Sequence, residues 1–347
     1  MTARPIGYYV HHHGAGHRAR AEAIAAKLEW PVVLIGTGIG ASGIDLPDDR
    51  PASGRFDGRD EAIGRPAALH YAPLDHAGVR TRVARIAAWI ADQQPVLMVV
   101  DVSVEVAMLT RLASVPTICL RLNGERNDGP HLEAFRSAAA ILAPFHEVLD
   151  TPATPPWVRD KTRYFPGITA APAAETAVDN RVLAVFGRGG APGDGERLAA
   201  AARACPEWDW RVIGPASFPA NIPSNLEFAG WVEAPECEIA RAAVVVGGAG
   251  DGLVCAVMAA DRPFVCVPEE RPFAEQWATA DGLHAMGAAI VLPDWPHGEH
   301  WPALLGRALA LSSQVRRGLH DANGAQKAAA WLTTLALGAT ICREHAA

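Results

Sequence analysis

Short apolar runs alternate with segments whose apolar residues recur at helical spacing through most of the chain. Ile6–Val10 reads as a strand, broken by Gly14-Ala15-Gly16. A helix follows, carrying Ala21, Ile24, Ala25 and Leu28 on one face. Val32–Ile35 is a second strand with a glycine-rich turn after it, and residues 42–69 read as an irregular insertion. Val79, Val83, Ile86 and Ile90 mark a helix that Pro95 ends. Val96–Val100 is apolar at every position, as in a strand buried on both faces of a parallel sheet. Val104–Leu112 predicts a helix, and Thr117–Leu120 and Ala140–Ala143 predict strands.

Leu149–Ala174 is rich in Pro, Thr and Ala and reads as a linker. A second series follows it, with strands at Val182–Phe186, Trp210–Ile213, Leu226–Phe228, Val244–Val246 and Phe264–Val267 and a helix over Glu196–Ala204. The pattern predicts an α/β protein of two doubly wound Rossmann-like domains, residues 1–165 and 166–325, facing a cleft. A last helical segment, Gln326–Leu337, is long enough to pack back on the first domain, within a tail of residues 326–347.

Composition narrows the function. The 347 residues are 50% hydrophobic and 20% charged, enough for two cores. A net charge of −7 argues against a basic nucleic-acid surface. The six cysteines form no CxxC pair, so neither a disulfide framework nor a zinc site is expected. Met1–Tyr9 shows no signal peptide, and no apolar run reaches the roughly 20 residues that span a bilayer. A cytoplasmic protein with no integral membrane segment is the expectation.

Three motifs carry candidate chemistry. In the first, Tyr9–His17, a strand runs through Gly14 and Gly16 into a helix, and glycines there let a backbone approach a ligand. His17 suits a general base. It also reads as a histidine closing a strand end. A metal site is disfavoured, because His11 and His13 share one strand face and His12 takes the other. The second motif, Phe186–Gly193, presents Gly189 and Gly190 after the opening strand of the second half, where backbone amides suit a diphosphate. The third runs from Val244 to Pro268, through Gly248, Gly250 and Asp251 into a helix and the next strand. Pro268 then opens a loop ending in Glu275-Gln276, suited to sugar hydroxyls. Asp101, at the end of a buried strand, either orients His17 or the acceptor, or caps the helix from Val104; Ser103 offers an equally good cap. Val33–Gly40 lacks the full dinucleotide spacing and is set aside.

With these residues in place, the chain resembles the family 28 glycosyltransferases and, more loosely, the macrolide and plant glycosyltransferases. The resemblance rests on Gly14-Ala15-Gly16-His17, on Leu122-Asn123-Gly124, and on Gly250 to Pro263 followed by Pro268 to Glu275-Gln276 and Ala280. It implies the GT-B fold and an inverting, metal-independent hexosyl or N-acetylhexosaminyl transfer, with no cofactor beyond a nucleotide-diphosphate sugar such as a UDP sugar. His17 is then the acceptor-activating base, and Gly14, Gly16 and Asn123 lie on the acceptor side. Gly189, Gly190, Gly248 and Gly250 neighbour the diphosphate, while Glu275 and Gln276 hold the sugar. The family's ribose-binding Glu is replaced by Ala256, with Asp251 as a substitute nearby; Asp261 stands for a usual Gly and Thr279 for a common Asn. A sugar-nucleotide epimerase or hydrolase, and a degenerate scaffold that binds nucleotide sugar or glycan without turnover, are the competing readings.

Overall fold

The computed structural model describes residues 3–11, 15–50, 66–168, 178, 180–187 and 189–344. By backbone contacts the chain divides into two units. The first comprises Met1–Pro144, Pro152–Ile168 and Asn323–Ala347; the second comprises Phe145–Thr151 and Thr169–Ala322.

In the first unit the chain order is β1 (Ile6–Val10), α1 (Ala15–Ala25), β2 (Val32–Gly36), β3 (Gly43–Asp45), α2 (Ala77–Gln93), β4 (Leu97–Asp101), α3 (Val104–Leu112), β5 (Thr117–Leu120), α4 (Gly129–Ser137), β6 (Ala140–Ala143), α5 (Pro156–Lys161) and β7 (Thr162–Tyr164). The strands pair in parallel in the order β3-β2-β1-β4-β5-β6-β7. β1 and β4 are buried at every position, as their unbroken apolar runs require. Alternate β1 residues feed two cores: Ile6, Tyr8 and Val10 on one face of the sheet, Tyr9 on the other.

The second unit runs β8 (Arg181–Val185), α6 (Gly195–Ala204), β9 (Asp209–Ile213), β10 (Leu226–Gly230), α7 (Pro235–Arg241), β11 (Val244–Gly247), α8 (Asp251–Ala259), β12 (Phe264–Cys266), α9 (Glu275–Ala285), β13 (Ile290–Val291), α10 (Trp301–Leu309) and α11 (Ser313–Gly318). Its parallel sheet has the order β10-β9-β8-β11-β12-β13. Trp210 and Trp301 meet edge to face, with ring centroids 5.0 Å apart, inside its core.

The chain then returns to the first unit as α12 (Gly324–Glu344), which buries Ala328, Ala329, Leu332 and Ala336 against β1, β2 and α1 residues. Small side chains at helical spacing let this helix approach closely.

Two sequence expectations need correcting. Residues 42–69 are not wholly irregular, because Gly43–Asp45 adds an edge strand beside β2. The Pro-rich stretch is not a plain linker either: Pro155 and Pro156 start α5, where a missing N–H costs nothing, and β7 closes the first sheet. No helix of the described residues is long and apolar enough to cross a membrane.

Candidate functional site

In each sheet the strand order reverses at one place, between β1 and β4 in the first and between β8 and β11 in the second. Loops leaving the carboxyl ends of such a strand pair go to opposite faces of the sheet and open a crevice for a ligand. Of the sequence-predicted residues, His17 and Asp101 lie at the first reversal and Gly189, Gly190, Gly248 and Gly250 at the second.

In the first unit Asp101 is the last residue of β4 and fully buried, and His17 lies in the first turn of the helix that follows β1. His17 Nδ1 and Asp101 Oδ2 are 2.8 Å apart. A carboxylate only accepts, so this hydrogen belongs to Nδ1 and Nε2 is left as the basic nitrogen of the ring. The His17 side chain is 13% exposed, against 0% for Asp101. Buried Arg20 donates to the same Asp101 oxygen at 3.5 Å. Tyr8 lies under this group. Burial, and after it the Asp101 charge, push its phenol up, so it stays protonated. Ser103 caps α3 by accepting from the Val106 amide, which leaves the Asp101 side chain free of capping duty. Val102 between them takes φ 50°, a left-handed conformation that a β-branched residue adopts only at a cost.

The remaining acceptor-side residues are less closely gathered. Gly14 lies outside the described residues. Gly16 sits inside α1 and is exposed, so the helix starts earlier than the glycine turn suggested. Asn123 is buried, and its Oδ1 accepts from the Gly124 amide at 2.9 Å, shaping the turn after β5.

In the second unit Gly190 and Gln276 lie against the Glu269 carboxylate, Gly189 lies beside Arg271, and Gly248 and Gly250 lie beside Gln276. Gln276 is buried, and its Oε1 accepts from the Ala249 and Glu269 amides, both at 2.9 Å. Those two bonds tie the loop after β11 to the loop after β12 and turn Nε2 toward Glu269 Oε2, 3.3 Å away. A Cβ on Gly190 would meet the Glu269 carboxylate at 2.2 Å, so any side chain there requires the Glu269 side chain to move aside. Arg271 donates to the Gly189 carbonyl and, at 3.0 Å, to Glu269 Oε2. Gly250, at the N-cap of α8, has no side chain to cap the helix. Asp251 begins α8 and Glu275 begins α9. Phe273 (φ 61°) and Ala274 (φ 49°) precede Glu275 in left-handed conformations, a second strained segment beside a candidate ligand residue.

Sequence reasoning missed Glu269, Arg271 and Trp231. The first two lie in the Pro268–Arg271 run, whose opposite charges directly follow a buried strand. Trp231, 52% exposed, follows Gly230 at the end of β10, and it is the structure, not the sequence, that marks it.

Among the described residues, one His/Asp group has the size of a metal site: His70, Asp128 and His131. His70 Nε2 is 2.9 Å from Asp128 Oδ2, and His131 Nδ1 is 2.7 Å from Asp128 Oδ1. Arg126 lies 3.3 Å from His131 Nε2 and always donates, so Nε2 is the acceptor and Nδ1 carries the hydrogen. A cation on Nδ1 would turn an Nε2–H against that guanidinium. The group therefore reads as a clamp holding His70 to the start of α4. Burial opposes ionisation of Asp128, but the hydrogen bonds from both imidazoles win and hold it well below the carboxylate range. Burial, helped by Arg126, pushes His131 down to about 4 despite the Asp128 bond.

No protein-family model and no curated protein matches the chain. Solved structures match it at low identity along nearly their whole length. Spinosyn forosaminyltransferase SpnP is 13% identical, with 97% of this chain and 100% of that chain covered and a TM-score of 0.67. CalG4, the calicheamicin glycosyltransferase, is 16% identical over 96% and 98%, with a TM-score of 0.66. MurG of Acinetobacter baumannii is 14% identical over 96% and 99%, with a TM-score of 0.62. The chain has the fold of these proteins, two Rossmann-like domains of the GT-B type.

Proposed function

We propose that this protein is a glycosyltransferase that moves a sugar from a nucleotide-diphosphate donor to an acceptor hydroxyl, inverting the anomeric centre without a metal ion. The observation that carries the reading is the His17–Asp101 pair at the strand-order reversal of the first sheet, in a chain whose fold is that of glycosyltransferases. Asp101 orients the imidazole and supports its positive charge. His17 Nε2 takes the hydroxyl proton as the acceptor oxygen attacks the anomeric carbon, and the bond from that carbon to the diphosphate oxygen breaks. Gly16 and Asn123 belong to the acceptor side in this reading.

The second unit holds the donor. Backbone amides at Gly248–Gly250 and the start of α8 stabilise charge on the leaving diphosphate. Glu275 and Asp251 face donor hydroxyls, and Gln276, held through Oε1, offers Nε2 to the donor. Trp231 offers an aromatic face to the nucleobase; backbone bonds from Gly214 to Gly230 and from Phe186 to Ile213 join its strand end to that of β8. UDP sugars head the donors to test, hexoses and N-acetylhexosamines alike. Cys119, Cys205, Cys237 and Cys266 form no disulfide, which fits a reducing cytoplasmic setting.

A second reading, a scaffold that binds donor without turnover, is favoured by Ala256, which brings no carboxylate to α8. The test is the release of nucleoside diphosphate from a donor panel with mixed acceptor alcohols. His17→Ala is expected to lower transfer at least about 10²-fold while keeping donor affinity, and Asp101→Asn to lower kcat by a comparable factor. Full transfer by His17→Ala removes the base assignment; donor binding with no transfer by the unmodified protein selects the scaffold.

A further inference from the structure

The second crevice already holds an anion, and it is the protein's own. Glu269 places its carboxylate against Gly190, where the Gly189-Gly190 turn and the loop after β12 come together. Two groups that suit a phosphate, the Arg271 guanidinium and Gln276 Nε2, are both turned toward Glu269 Oε2, at 3.0 and 3.3 Å. The fixed carboxamide explains the direction. With Gln276 Oε1 taken by two backbone amides, Nε2 has one way to point, into the crevice.

A purely structural salt bridge does not need this placement. The Arg271 and Glu269 side chains are 22% and 28% exposed. A pair that wet contributes little, and the Gln276–amide bonds already hold the loops. A diphosphate has more charge and more acceptor oxygens than a carboxylate, so it outcompetes Glu269 for the same donors.

We propose that Glu269 is a built-in stand-in for a donor phosphate, and that a nucleoside diphosphate binds by displacing it and taking over Arg271 and Gln276 Nε2. The inference rests on the donor assignment made above and goes further, naming the cation that meets the diphosphate and the residue that competes with it. Arg271 thereby selects for a diphosphate, and Glu269 sets a threshold of donor concentration. Binding swings the Glu269 side chain out of the crevice, while the backbone pins through Gln276 Oε1 remain.

The experiment is isothermal titration calorimetry of the full chain with uridine, thymidine and guanosine diphosphates and with inorganic pyrophosphate. Glu269→Gln keeps the shape and removes the charge. It is expected to tighten the best nucleoside diphosphate about fivefold or more, whereas Arg271→Ala weakens it about tenfold. Glu270→Gln serves as the charge control, since Glu270 accepts from the Trp277 indole and takes no part in the cluster; its affinity is expected to stay within about twofold of the unmodified protein. Unchanged or weaker binding by Glu269→Gln overturns the stand-in, and an Arg271→Ala affinity equal to the unmodified protein's overturns the cation. In both cases nucleotide binding by the unmodified protein leaves the donor assignment in place. Absence of binding to every probe in the unmodified protein and in Glu269→Gln alike overturns both.

Discussion

His17 and His131 each hold a carboxylate through Nδ1, at 2.8 and 2.7 Å, yet their second nitrogens set them apart. Arg126 takes Nε2 of His131, and burial keeps that ring neutral down to about pH 4. No described residue takes Nε2 of His17, which is the difference between a clamp and a candidate base. The clamp has a measurable consequence. The folded pKa of His131 lies below its ordinary 6.5, so as pH falls from 6.5 to 4 the unfolded chain takes the proton and the native protein does not. Stability from this group is present above pH 6.5 and is lost by roughly 1.4 kcal/mol per pH unit across that window. Urea unfolding at pH 7 and pH 4.5 should show the loss, and His131→Gln should flatten it. Equal slopes in the two proteins would remove His131 from the account. From sequence alone His131 carried no signal, because its partners Asp128 and His70 are joined by turns that apolar periodicity does not encode.

At the level of elements the strands were the legible part. Ile6–Val10, Thr117–Leu120 and Ala140–Ala143 form where their apolar runs lie, and Val96–Val100 differs from β4 by one residue at each end. A strand buried on both faces writes itself as an unbroken apolar run. β3, β7 and β13 were missed because they are only two or three residues long, too short to show a period. The glycine turns were legible as turns, but the side chains that fill them were not. Gly189, Gly190, Gly248 and Gly250 were found, while the carboxylate and guanidinium beside Gly189 and Gly190 come from a loop about 80 residues further along the sequence. Turn geometry also makes a direct prediction. Gly214 has φ 90°, and a Cβ there would lie 1.8 Å from the Phe186 carbonyl oxygen. Gly214→Ala is therefore expected to destabilise the protein by about 2 kcal/mol or more, read by calorimetry. Gly252→Ala, in the first turn of α8 with open space around its Cβ, is expected to be neutral or mildly stabilising, by at most about 1 kcal/mol. A harmless Gly214→Ala would mean that the junction of β8 and β9 is built differently.

For the whole molecule, the two sheets place different chemistry at equivalent positions. The reversal between β1 and β4 carries an imidazole and a carboxylate, whereas the reversal between β8 and β11 carries glycines and a helix start at Gly250, with an arginine reaching Gly189 from the loop after β12. That division suits one unit to removing a proton and the other to receiving a diphosphate. The chain order supports the same organisation: α12 returns after the second sheet to complete the first core with Ala328, Ala329, Leu332 and Ala336. The passage of Phe145–Thr151 into the second unit had no signal in the sequence pattern. The central claim is donor-dependent transfer, and its most direct measurement is chromatographic detection of nucleoside diphosphate released from uridine, thymidine and guanosine diphosphate sugars with a panel of acceptor alcohols. The account predicts release from at least one donor that rises with acceptor and disappears in His17→Ala. No release from any donor, together with no thermal stabilisation of the protein by any nucleoside diphosphate, would contradict it.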